Sequence, residues 1–307
     1  MKIIRIVSRK SALALWQANF VKTQLQHLNP ELSVEIIGIT TEGDKDLESS
    51  LAKIGGKGLF VKALEEYLLN NEADLAVHSL KDMPVILPEG LEIAAILKRE
   101  DVRDALISFE KVTLKDLPSN AIIGTSSLRR QSQLYAFRKD LQFKLLRGNV
   151  GTRLQKLDKG EYQAIILAAA GLKRLQLEDR IVEYLAPDIM LPAVGQGALC
   201  IECRRENTAI KELIAPLHHL PTAYCTFAER SMNAALGGSC QLPIAALGTL
   251  SSTGALRLQG MVGTPDGQIL LKAEQVGPPE EMLTIGQQVA EQLFQKGAKK
   301  IIEACNL

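Results

Sequence analysis

The sequence predicts an α/β protein: two α/β domains of similar size followed by a smaller α+β domain. Three observations carry this. Apolar strand-like and helix-like segments alternate across residues 3–97. A second alternation begins near residue 104, and the last third changes to a meander of strands with a strong hairpin turn. The 307 residues, at about 150 per domain, suit two to three domains. With 46% hydrophobic and 23% charged residues the composition is that of a globular protein, which excludes a disordered, collagen-like or disulfide-scaffold chain.

Along the first domain, Ile3–Val7 reads as a short buried strand. Ser11 can cap a helix running to about Leu28, because Ala14, Ala18, Val21, Leu25 and Leu28 recur at helical steps on one face. Val34–Ile39 is a second strand, and the polar, Gly-rich stretch from Thr40 to Gly58 reads as a mobile loop. Leu59–Asn70 is helical, while Asp74–Val77 and Leu91–Leu97 are strands. This order implies a sheet with parallel pairs. In the second domain Ala121–Ile123, Phe143–Leu146 and Ala164–Ala168 are strands, followed by helix starts near Ser127, Val150 and Gly171. Asn207–His218 and Ala223–Leu236 are helices, with Pro221 marking a break between them. In the last third Ile244–Thr249, Ala255–Val262 and Ile269–Val276 are strands. Thr264-Pro265-Asp266-Gly267 turns the hairpin, and Glu280–Ala304 reads as one closing helix.

The formal net charge of +1 conceals an asymmetry. Residues 121–180 carry 12 basic and 5 acidic side chains, net +7, between flanks of −3 each. A solvated basic face and a pocket for a polyanion both fit that count. The arginines favour the pocket. Gly124-Thr125-Ser126-Ser127-Leu128-Arg129-Arg130, Arg147-Gly148-Asn149-Val150-Gly151-Thr152-Arg153 and Gly171-Leu172-Lys173-Arg174 each follow a strand and open a helix. Ligands of open α/β sheets bind beyond the strand carboxyl ends, where helix N-termini favour anions. Small residues there let an anion approach the backbone, and arginine adds bidentate recognition. Carboxylate and phosphate are not separated by this argument. Neither GxxxxGK[ST] nor GxGxxG occurs, and Gly55-Gly56-Lys57-Gly58 alone is a weak signal.

In the first domain Asp82 follows a strand in Val77-His78-Ser79-Leu80-Lys81-Asp82-Met83-Pro84. Alone it reads as a turn carboxylate; facing an arginine-rich wall it could orient or protonate a substrate nitrogen. His78 reads as a core or strand-end histidine. The Cys200/Cys203 pair would fall on opposite strand faces, so no metal site is expected. Cys240, in Leu236-Gly237-Gly238-Ser239-Cys240-Gln241-Leu242-Pro243, sits on a Gly-rich turn where a thiol is open to carry a group.

Taken in order, Leu13-Ala14-Leu15-Trp16-Gln17-Ala18, Gly55-Gly56-Lys57-Gly58-Leu59-Phe60, Val77–Asp82, the two arginine motifs, Leu191-Pro192-Ala193-Val194-Gly195-Gln196-Gly197-Ala198 and the Cys240 loop closely resemble the porphobilinogen deaminase (hydroxymethylbilane synthase) family. The likeness runs from about Arg9 to Pro243. It implies a transferase that joins four porphobilinogen molecules head to tail, releasing ammonia at each step, to give the linear tetrapyrrole hydroxymethylbilane for haem-type biosynthesis. It implies a dipyrromethane cofactor held by a thioether to Cys240. By the same likeness Asp82 is the catalytic acid that stabilises the cationic azafulvene formed as ammonia leaves. Lys81, Ser127, Arg129, Arg130 and Arg153 bind the cofactor. Arg9, Ser11, Arg147, Arg153 and Arg174 bind substrate. Lys53, Lys57 and Phe60 belong to a mobile loop. No metal is implied. The first two domains are then periplasmic-binding-protein-like, with residues 1–97 plus 198–217, 103–193 and 220–307 as the three domains. Each porphobilinogen brings an acetate and a propionate, which gives the +7 segment a reason. The sequence departs from the family in reading Gly-Gly-Ser-Cys where Glu-Gly-Gly-Cys is frequent.

Five cysteines without regular spacing fit reduced thiols in a cytoplasmic protein. The longest apolar run, Ala164–Leu172, is too short to span a bilayer, and the N-terminal apolar stretch is too short for a signal peptide. The expected partner is the small-molecule substrate, with no nucleic acid, no membrane and a monomeric chain. The rival readings are a non-enzymatic solute-binding protein, which has no use for Cys240, and a nucleic-acid binder, which 4% aromatic residues disfavour.

Overall fold

The computed structural model describes residues 3–41, 61–238 and 242–305. It divides into two compact units, Met1–Arg99 with Ala198–Ala223, and Glu100–Gly197 with Tyr224–Leu307.

The first unit is built on a five-stranded sheet. Its strands are β1 (Ile3–Arg9), β2 (Ser33–Ile39), β3 (Leu75–Ser79), β4 (Leu91–Ile96) and β10 (Leu199–Arg204), in the order β2-β1-β3-β10-β4. β1 pairs in parallel with β2 and β3, whereas β10 lies antiparallel between β3 and β4. Strand alternation sends Ile4, Ile6, Leu75 and Val77 to one face, against Ala18, Val21 and Leu25 of α1 (Ala12–Leu28). Val7 and Ala76 go to the other, against Leu64 and Leu68 of α2 (Lys62–Leu69). Ser11 caps α1 as expected, its Oγ accepting from the Ala14 N–H at 3.4 Å.

The second unit holds a sheet of the same design. β5 (Asp104–Ser108), β6 (Ile122–Gly124), β7 (Gln142–Lys144), β8 (Ala164–Ala168) and β9 (Glu183–Leu185) run in the order β7-β6-β8-β5-β9. β6 is parallel to β7 and β8, and β5 is antiparallel to β8 and β9. Each sheet thus takes one antiparallel strand from a chain crossing: β5 as the chain arrives, β10 as it returns. Helices α3 (Leu128–Phe137), α4 (Val150–Asp158) and α5 (Ala169–Arg174) follow β6, β7 and β8. α5 begins at Ala169, two residues before the expected Gly171.

In the first unit, α6 (Thr208–Ile214) follows β10. α7 (Leu220–Ala235) contains Pro221 in its first turn, where a missing N–H costs nothing, so that proline opens the helix. The antiparallel sheet β11 (Ile244–Leu250), β12 (Leu256–Gly263), β13 (Leu270–Gly277) packs on α7, α8 (Met282–Gln295) and α9 (Ala298–Cys305) through Met232, Leu258, Val289 and Ile301. The single closing helix expected over Glu280–Ala304 is therefore two. Gly297 at φ +101° ends the first, a left-handed conformation that glycine adopts without strain. Glu229 of α7 accepts the backbone N–H groups of Gly195 at 2.7 Å and Gly248 at 2.8 Å. Among the described residues no helix is long and apolar enough to cross a membrane.

Candidate active site

In the first unit a pocket opens at the carboxyl ends of β1 and β3. Arg9, Ser11, Gln17, His78, Ser79 and Asp82 supply its polar lining. β1 ends at Arg9 and the α1 cap follows at once, which brings Arg9 and Ser11 together. β3 runs into a 3-10 turn, Leu80–Asp82, that leaves Asp82 exposed and Lys81 half-buried. The turn is fixed by two backbone bonds, from Leu80 N–H to the Ala198 carbonyl and from Met83 N–H to Leu80. Gln17 Nε2 donates to Ser79 Oγ at 2.8 Å, tying α1 to the same strand end. Three of the expected residues, Arg9, Ser11 and Asp82, therefore line one pocket.

The arginines of the second unit divide by burial. Arg129 and Arg130, in the first turn of α3 after Ser127, are buried. Arg129 Nη1 donates to Asp104 Oδ2 and to the Leu191 carbonyl, both at 2.8 Å. Arg130 Nε and Nη2 donate to Asp104 Oδ1 at 3.0 and 2.7 Å, and its Nη1 to the Ile166 carbonyl at 2.8 Å. Gln196 adds a fourth donor group, with Nε2 3.3 Å from Asp104 Oδ1. Burial opposes ionisation of Asp104, yet the two guanidiniums beside it hold its carboxyl far below the usual range. Burial also lowers the affinity of Arg130 for its proton, which the Asp104 charge opposes.

Arg147 and Arg153 differ. Both are half-buried, Arg147 in the loop between β7 and α4 and Arg153 in the first turn of α4. Arg153 Nε donates to the Gly148 carbonyl at 2.7 Å. Arg147 Nε is buried with no hydrogen-bond partner among the described residues. The loop needs Gly148 at φ +106°, where a Cβ would come within 2.7 Å of the Thr152 side chain. Asn149 caps α4 by accepting the Thr152 N–H at 2.9 Å. Arg174, at the end of α5, is buried and donates through Nη2 to the Gly197 carbonyl at 2.7 Å. Burial pushes it down from its ordinary value, against the pull of Glu100.

Lys53, Lys57 and Phe60 of the expected mobile loop, and Cys240, lie outside the described residues. The approach to Cys240 is described as far as Gly238. Gly237 follows α7 at φ +66°, a conformation in which the glutamate frequent in this motif would be strained. A Cβ on Gly238 would fall 1.9 Å from Asn233 Oδ1.

Two family models match this chain. Residues 4–212 match the porphobilinogen deaminase, dipyromethane cofactor binding domain, and residues 223–295 match the porphobilinogen deaminase C-terminal domain. The chain belongs to the porphobilinogen deaminase family. Among solved structures it overlaps the VFT2 domain of Bordetella pertussis BvgS (a double mutant) at 14% identity, over 69% of this chain and 84% of that one, with a TM-score of 0.42. It overlaps the zinc-bound ligand-binding component of an ABC-type import system from Staphylococcus aureus at 10% identity, over 76% and 73%, with a TM-score of 0.41. The BenM effector-binding domain with benzoate overlaps at 17% identity, over 76% and 93%, with a TM-score of 0.43. Membership of the porphobilinogen deaminase family rests on the two domain models, not on these overlaps.

The porphobilinogen deaminase motifs also contain residues whose part is architectural. Leu191, at the head of the Leu-Pro-Ala-Val-Gly-Gln-Gly-Ala segment, accepts from Arg129 and from Gln133 Nε2 and donates its N–H to Gln133 Oε1. Asp104, the hub of this network, carried no sequence signal beyond its place at the start of the second alternation. Glu202 and Glu65 were equally silent in the sequence.

Proposed function

We infer that this porphobilinogen deaminase family member is a hydroxymethylbilane synthase. In this reading it condenses four porphobilinogen molecules head to tail with loss of ammonia, as a cytoplasmic monomer whose partner is the small-molecule substrate. The observation that carries the reading is Asp82, an exposed carboxylate held at a strand end in a pocket with Arg9 and Ser11.

Loss of ammonia from an aminomethylpyrrole leaves a cation on the substrate. A fixed carboxylate stabilises that cation more strongly than it stabilises the ground state, which is what accelerates the step. Asp82 has this role, and its rigid 3-10 turn spares reorganisation as charge develops. Arg9 and Ser11 orient the incoming substrate, and Lys81 would help to hold the cofactor.

Each porphobilinogen brings two carboxylates, so the wall that receives substrate and the growing chain must present cations that are not neutralised internally. Arg147, with an orphaned buried Nε, fits that requirement. Arg153, at the start of α4, and Arg174, at the end of α5, add their charges beside it. Ser127, Arg129 and Arg130 stand at one helix N-terminus, which adds its dipole to the anion site. When bound, through a thioether to Cys240, the dipyrromethane supplies the primer from which the chain grows.

Incubation of the purified protein with porphobilinogen tests the reading. Hydroxymethylbilane and released ammonia are the expected products, and substrate recovered unchanged would overturn it.

A further inference from the structure

Behind the pocket of the first unit lies a cluster of buried ionisable groups that the proposed mechanism does not use. His78 lines the pocket, and its Nε2 lies 3.0 Å from Glu202 Oε2. The two are diagonal neighbours on one sheet face, because the β3–β10 register sets His78 against Cys200 and Ala76 against Glu202. Glu202 is fully buried, and its Oε1 has no hydrogen-bond partner among the described residues. Glu65, on α2 over the same face, is also buried with an unpartnered Oε1. Leu64, next to Glu65, lines the pocket as His78 does.

Two buried carboxyl groups, each with an orphaned oxygen, cannot both stay ionised at low cost. Resting on the reading of this pocket as the site of porphobilinogen chemistry, we propose that Glu202 is a positioning residue that acts on the pocket through the imidazole of His78, and that Glu65 sets the charge behind it. A carboxylate bonded to Nε2 fixes the ring orientation and makes Nε2 the protonated nitrogen. His78 therefore turns a constant edge to the substrate. Glu65 keeps its proton, so it adds no charge behind the lining, in which Asp82 is the carboxylate among the described residues, when the cation forms.

The electrostatics agree with the geometry. Burial, reinforced by the charge of Glu202, pushes Glu65 up to about 7, and His78 opposes the rise. Among the described residues the charged and titratable groups around Glu65 are these. β3 supplies His78, and β10 supplies Cys200, Glu202 and Arg204; Arg204 is bonded to the Leu68 and Ala73 carbonyls. β1 supplies Arg5, paired with Asp74, and Arg9 of the pocket. β4 supplies apolar Leu91, while its Glu92 is paired with Lys211. On α2 itself the neighbour is Glu66. As pH rises through about 7 Glu65 ionises, and the added negative charge opposes binding of an anionic substrate.

The test compares full-length wild type, Glu65→Gln and Glu202→Gln by porphobilinogen turnover across pH and by imidazole 15N NMR of His78. Glu65→Gln mimics the protonated acid. It should keep the wild-type rate below pH 7 and lose the decline in kcat/KM that wild type shows above it. Glu202→Gln should change the His78 nitrogen shifts and lower kcat about tenfold or more, with KM nearly unchanged. If Glu202→Gln does not fold, the Glu65→Gln profile decides alone. A Glu65→Gln profile superimposable on that of active wild type, or His78 shifts unaltered in Glu202→Gln, would overturn the proposal. Failure of the underlying reading is distinguishable, because wild type itself would then consume no porphobilinogen, and the proposal would fall with it.

Discussion

Two strand-end clusters of similar sequence character use their charges in opposite ways. At the end of the second sheet Arg129 and Arg130 turn inward, and both close on Asp104 inside the domain. At the end of the first sheet Arg9 and Asp82 line an open pocket, and Asp82 remains exposed. A charge buried with its counter-ion shapes the fold, whereas an exposed carboxylate at a pocket wall, as Asp82 is, is available to a ligand. Arg147 is available in the same way, since its buried Nε has no partner among the described residues. Strand-end position alone therefore does not assign a role; the counter-ion does.

The sharpest way to break this contrast is at Asp104. Asp104→Asn leaves two buried guanidiniums without a counter-charge and should cost roughly 3–5 kcal/mol in denaturant unfolding. Because the folded protein holds the Asp104 carboxyl below its ordinary 3.8, its stabilisation is present above that pH and is lost as pH falls below it. The variant should therefore show a flatter acid limb. A loss below about 1 kcal/mol would place Asp104 outside the network's core.

At the open cluster the same logic predicts the reverse. Asp82→Ala should keep its unfolding transition and lose on the order of a hundredfold or more in turnover. Wild-type turnover in the folded variant would reduce Asp82 to a turn residue. Among the arginines, Arg147→Leu should remain stable, keep its cofactor and stall with fewer added rings. Arg130→Leu should lose stability and cofactor together. Mass spectra during one exposure to porphobilinogen separate these outcomes, and a full ladder from Arg147→Leu would contradict the division. The smallest effect belongs to Ser11. Ser11→Ala removes a helix cap worth about 1 kcal/mol, read as a small shift in unfolding midpoint.

Much of this was legible from local chemistry. The Ser11 cap, the strand Ala164–Ala168 and the helix start after Ser127 follow from periodicity and capping residues. β5 and β9 were not legible, because a strand such as Asp104–Ser108 is placed by its antiparallel partners rather than by its own pattern. The closing helix was read as continuous because one glycine in a helical pattern, Gly297, does not disclose its sign of φ. The motifs located the arginines but not their partners. Asp104 lies 25 and 26 residues away from the two guanidiniums it pairs with, and Glu202 lies 124 residues from His78. Such pairings are made by the sheet, so they appear only once the strands are assembled.

The most direct test of the account is the intact mass of the freshly purified protein. The account predicts a mass above that of the sequence by two linked porphobilinogen-derived rings, and the bare sequence mass for Cys240→Ser, whose hydroxyl is a poorer nucleophile than a thiolate. An active wild-type protein at the bare sequence mass would contradict it.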